Sequence, residues 1–172
     1  MTKQAVYTTE TQQTAPVLIE LTVEAGAWPD TAELSFLARR AVDAACAELG
    51  WSDSRKALLS ILFFDDDGIS ALNKNWRGKP SPTNVLSFQA VAASAAPGNP
   101  AILGDIVLAS ETVHREAKLE NKPVNHHIIH LLVHGFLHLC GYDHKDDEEA
   151  ECMEALETRI LARLDVPDPY SQ

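Results

Sequence analysis

Residues 123–144 read PVNHHIIHLLVHGFLHLCGYDH, an apolar run in which a histidine returns at every fourth position from His126 to His138. Pro123 suits the first turn of a helix, and the pattern predicts one from there to Cys140. Leu131, Leu132, Val133, Phe136, Leu137 and Leu139 flank the histidines with apolar side chains, so this helix is expected to be buried. His134 and His138, four apart, project from one face within reach of a single ion. Gly141 can take the left-handed conformation that ends a helix and return His144 as a third ligand. Three neutral imidazoles with a fourth position open are the ligand set of a catalytic zinc site rather than a structural one. Nickel, copper or iron would accept the same donors, but zinc suits them best. His126 and His130 lie a turn or two upstream, outside the ligand set. Asp143 either orients an imidazole or is a surface turn residue, and Cys140 reads as a small buried hydrophobe.

A buried helix needs layers around it, and the flanking sequence supplies them. VLIELTVE (17–24) alternates as a half-buried strand, with Glu20, Thr22 and Glu24 on its outer side. Asp30 or Thr31 can cap a helix that runs to about Leu49 and stops at Gly50. Ala57–Phe64 is apolar enough for an interior strand. Asp65-Asp66-Asp67-Gly68 resembles a calcium loop, but Trp76 stands where an EF-hand needs its glutamate. It reads instead as the entry to a short helix carrying Ile69, Leu72 and Trp76. TNVLSFQ and LGDIVLAS are two further strands, separated by an Ala-, Pro-, Gly- and Ser-rich loop from Ala90 to Pro100. Ser110 is expected to cap a helix to about Asn121, and Asp146 or Asp147 to start a last helix bearing Met153, Leu156, Ile160 and Leu164. The fold class is therefore α/β (α+β), a single domain over residues 17–165 built on four strands and five or six helices. Residues 1–16 and 166–172 are expected to be tails.

The chain has 172 residues, is 45% hydrophobic and 23% charged, and contains no apolar run long enough to span a bilayer. The N-terminus lacks the apolar core of a secretory signal. Three cysteines without a C-x-x-C pair argue for a reducing cytoplasm. A net charge of -11 argues against indiscriminate nucleic-acid binding. Yet residues 68–104 contain no Asp or Glu while holding Lys74, Arg77 and Lys79, so a polyanion could be handled there.

The spacing of His134, His138 and His144 is that of the metzincin zinc proteases. Those enzymes place a general-base glutamate after the first histidine, and this chain has Gly135. A peptidase also leaves Arg77 unexplained. Phosphodiester chemistry does not: zinc activates water and polarises a phosphoryl oxygen, and a guanidinium offsets charge on phosphate oxygens.

HGFLHLCGYDH (134–144), RGKPSPTNVLSF (77–88) and LGDIVLAS (103–110) together resemble the motifs of the YbeY-type endoribonucleases, as does the acidic stretch running to Met153 and Glu157. The resemblance covers roughly residues 17–165. It implies a small mixed sheet with helices on both faces, most of them on one. It also implies one Zn2+ held by His134, His138 and His144, and a catalytic Arg77. The implied activity is cleavage of single-stranded RNA in ribosomal RNA processing, including 16S rRNA 3′ end maturation, and in ribosome quality control. The small ribosomal subunit and assembly proteins are the expected partners, with no role for DNA or a membrane. Asn84 departs from the pattern, since many members carry Asp there, and a catalytic role for that carboxylate is put in doubt. Two alternatives stay open: a zinc peptidase with an unusual base, and a non-catalytic ribosome-assembly factor whose zinc anchors the fold.

Overall fold

The computed structural model describes residues 5–6, 15–51, 56–91 and 100–171. Its centre is a mixed sheet of β2 (Val17–Val23), β3 (Ala57–Phe64), β4 (Val85–Gln89) and β5 (Ala101–Ala109). Ala5–Val6, inside the expected N-terminal tail, form a two-residue strand, β1, and the spatial order is β1-β2-β3-β5-β4. The rest of residues 1–14 lies outside the described residues, as does most of the Ala90–Pro100 loop. β2, β3 and β5 run parallel, while β4 closes one edge antiparallel to β5.

Strand alternation sorts the side chains into two layers. On one face Leu59, Ile61, Phe63, Ile106 and Leu108 join the main core with Leu34, Ala38, Ala41 and Ala45 of α1 (Thr31–Glu48) and Ile128, Leu132 and Phe136 of α4 (Val124–Leu139). α5 (Asp147–Ala162) packs on α1 and α4, and Met153, Leu156 and Ile160 add to the same core. On the other face Ile69 of α2 (Asp66–Arg77) covers Leu86, Val107 and Ala109. Helices thus lie on both faces with most on one, and five helices in all are described.

The aspartate cluster is a helix entry. Asp65 caps α2 by accepting from the Gly68 amide at 2.8 Å. The next residue reaches across to α3 (Ser110–Leu119): the Asp66 carboxylate accepts from the Thr112 amide at 3.0 Å and from its hydroxyl at 2.9 Å. That contact corrects the expected Ser110 cap. Asp66 already satisfies the start of α3, and the Ser110 hydroxyl turns away to donate to the Ala27 carbonyl. Trp76 also departs from the expected apolar stripe. Its ring meets Phe88 but is 71% exposed, because the last turn of α2 lies at the sheet edge. At the C-terminus Val166 is buried in the main core, so part of the expected tail packs on the domain.

α4 lies close on the sheet because position 135 has no side chain. A Cβ there would stand 3.0 Å from Ile106 Cγ2 and 3.1 Å from Ser87 Oγ. Gly135→Glu is therefore expected to destabilise the fold by about 3 kcal/mol or more, through overpacking and a buried unpaired charge. Urea denaturation monitored by circular dichroism measures this, and a stability equal to the parent would refute the packing.

Candidate metal centre

α4 sets His134 and His138 one turn apart, and its C-terminal turn brings in the third imidazole. The Gly141 amide donates to the His138 carbonyl and the Tyr142 amide to the Leu137 carbonyl, each at 3.0 Å. With Gly141 at φ +97° this is the paired closure that reverses a chain at a helix end. Nitrogen atoms of His134, His138 and His144 consequently lie within 4.8 Å of one another. His134 and His138 are half-buried and His144 is exposed, so the group is walled on one side and open on the other.

Hydrogen bonds fix which nitrogens face inward. His134 Nδ1 lies 2.5 Å from Oε1 of Glu157, a fully buried residue of α5. Burial alone would raise the pKa of Glu157. The imidazoles of His130 and His134 and the hydroxyl of Tyr170 outweigh it and bring the carboxyl down to about 2. An ionised carboxylate only accepts, so His134 Nδ1 carries the proton. His138 Nδ1 donates to the Tyr142 carbonyl at 3.0 Å. Nδ1 of each ring is thereby engaged, so both Nε2 atoms are the ones turned inward, and they face each other at 3.0 Å. Burial, then the imidazoles of His134 and His144, hold the His138 pKa below its usual value, which favours its neutral, ligating form. Two inward-facing imidazole nitrogens with a third imidazole beside them fit a zinc ion in donor type and number.

Asp143 does not orient an imidazole. Its carboxylate accepts from the His144 amide at 2.9 Å and pairs with Lys145, while His138 Nδ1 stands 4.0 Å away. Glu157 takes that part for His134, supported by the Tyr170 hydroxyl on its other oxygen. His130 stands beside the same carboxylate at 3.7 Å, and Cys140 is outside the three-residue group.

The structure does not place Arg77 among the histidines. It is exposed at the last residue of α2, and its link to them runs along the edge strand. The neighbouring Trp76 ring meets Phe88, with centroids 5.6 Å apart, and the next residue, Gln89, donates to the His138 carbonyl at 3.0 Å. Phe88 and Gln89 point to opposite faces of β4, so the end of α2 that carries Arg77 and the end of α4 that carries His138 flank the same edge strand from its two faces. Asn84 belongs to the other end of that strand, before β4. Its Nδ2 donates at 3.0 Å to Glu116 Oε2, which also lies 2.7 Å from His127 Nε2. A carboxylate at position 84 would confront Glu116, whereas the amide donates to it.

A sequence model of the family described as Endoribonuclease YbeY matches residues 21–165. The chain belongs to the YbeY endoribonuclease family. It is 49% identical over 158 residues to the Endoribonuclease YbeY of Rhodopseudomonas palustris strain BisA53, covering 91% of each chain. It is 51% identical over 159 residues to that of Rhizobium meliloti strain 1021, covering 88% of this chain and 94% of the relative. The solution structure of the Thermotoga maritima protein TM1509 shares the fold at a TM-score of 0.52 and 22% identity, over 91% of this chain and 99% of that one. YbeY membership makes RNA the substrate class. Among the described residues no helix is long and apolar enough to cross a membrane.

Glu157→Gln keeps the shape of the residue and removes the charge that holds the His134 proton in place. Its affinity for zinc, measured by competition with a chromophoric chelator, is expected to fall by about 10- to 100-fold with the helical circular dichroism retained. An unchanged affinity would remove Glu157 from the site.

Proposed function

We propose that this chain is a zinc-dependent endoribonuclease that cuts single-stranded RNA during ribosomal RNA processing, including 16S rRNA 3′ end maturation, and in ribosome quality control. The observation that carries the metal part of this reading is the pair of inward-facing Nε2 atoms of His134 and His138, 3.0 Å apart, with His144 beside them. Zinc at such a site supplies Lewis acidity, polarising a phosphoryl oxygen and lowering the pKa of water toward neutrality. His134, His138 and His144 hold the ion. Glu157 and the Tyr142 carbonyl keep the two helical imidazoles in the ligating tautomer. Arg77, exposed at the same strand edge, offsets charge that develops on the phosphate oxygens. Precursor ribosomal RNA on the small subunit, with its assembly proteins, is the substrate this implies, and the cytoplasm is where the reaction takes place.

A peptidase fits less well. The position where a zinc protease carries its base is Gly135, and a side chain there would point into Ile106 and Ser87 of the sheet. An assembly factor with a purely structural metal is also less well supported. The turn that presents His144 closes through its own backbone hydrogen bonds, so the fold at this point has other supports than an ion.

Metal analysis paired with cleavage of a single-stranded RNA oligomer tests the reading. The purified protein is expected to carry one zinc per chain, to lose cleavage on chelation and to regain it with added zinc. Arg77→Ala is expected to keep its zinc and to cleave about 100-fold more slowly or worse. Full cleavage by chelated protein would overturn the metal role, and full cleavage by Arg77→Ala the arginine's.

A further inference from the structure

Among the described residues Trp76 is a large aromatic side chain that the fold leaves mostly uncovered. An indole that is 71% exposed is uncommon in a folded chain, because burying it is so favourable. It is also held in place. α2 ends at Gly78 in the left-handed conformation, and the Trp76 ring leans on Phe88 with centroids 5.6 Å apart and planes 47° from parallel. Phe88 fixes one side of the ring and leaves the rest to solvent.

The charge around it is the opposite of the protein's average. Lys74, Arg77 and Lys79 are exposed within three residues of Trp76, in the stretch from 68 to 104 that contains no acid, although the whole chain carries a net -11. Asp105, opposite Phe88 in the strand register, is the acid that β5 places near the ring. Trp76 and the histidines flank the β4 edge from its two faces, since Phe88 meets the indole on one side and its neighbour Gln89 bonds the His138 carbonyl on the other.

We infer that Trp76 is a stacking platform for one unpaired base of the RNA, with Lys74 and Lys79 taking flanking phosphates. The inference rests on the RNA reading above and deepens it. An aromatic face beside cations is how single strands are held without sequence preference, because every base has a π-face. A base paired in a duplex cannot offer that face. The platform therefore selects for single strands at the strand edge that also carries the histidines.

The test compares the zinc-loaded parent, Trp76→Ala and Trp76→Phe on a single-stranded oligoribonucleotide, with KM and kcat separated. Trp76 is exposed, so each variant is expected to melt like the parent. Trp76→Ala should raise KM by roughly tenfold or more with little change in kcat, and Trp76→Phe should recover part of the loss. An unchanged KM in Trp76→Ala overturns the platform while leaving the nuclease reading intact. A lower kcat at unchanged KM overturns it too, as a positional effect on the site. A parent that neither binds nor cuts RNA takes down both readings.

Discussion

Two imidazole nitrogens turned toward each other at 3.0 Å are the constraint on which the rest of the site depends. Each faces inward because the other nitrogen of its ring is engaged elsewhere, His134's by a buried carboxylate and His138's by a backbone carbonyl. The carboxylate stays ionised inside the core because three neighbours outweigh the effect of burial. α5 and the C-terminal segment carrying Tyr170 therefore contribute to the site through Glu157, although the candidate ligands lie on α4 and the turn after it.

α4 serves the fold and the chemistry with different faces of one helix. Ile128, Leu132 and Phe136 fill the core against α1 and the sheet, and Gly135 lets the backbone approach β4 and β5. The half-buried side bears His134 and His138. A side chain at position 135 would crowd Ile106 and Ser87 on the sheet, so the close approach of α4 favours glycine where a zinc protease has its glutamate. The edge strand β4 then links two polar clusters. It meets the Asn84, Glu116 and His127 cluster at its start and the His138 carbonyl at its end.

Much of this was visible in the sequence where the signal was local. The four-residue spacing of histidines, the turn glycine at 141, the alternation in 17–24 and the apolar run in 57–64 each depend on a few neighbouring residues, and the structure places strands and helix there. Contacts between distant segments were not visible. Glu157 stands among seven other acids between Asp143 and Glu157. Nothing in that run marks the one that is buried, though its place one turn before Ile160 and one after Met153, on the apolar stripe of α5, was a usable hint. Ser110 has the residue type of a cap, but Asp66, 44 positions earlier, had taken the role. Trp76 follows the apolar period of α2, yet period alone cannot show that a helix outruns the surface it covers.

The central claim is that the three histidines form a metal site through their inward nitrogens. Anomalous diffraction from crystals of protein purified without added metal, collected on both sides of the zinc edge, tests it most directly. The expected result is one zinc peak about 2.0–2.1 Å from Nε2 of His134, Nε2 of His138 and a ring nitrogen of His144. The claim is contradicted if zinc-soaked crystals show no peak there, or one bound instead through Cys140 or Asp143.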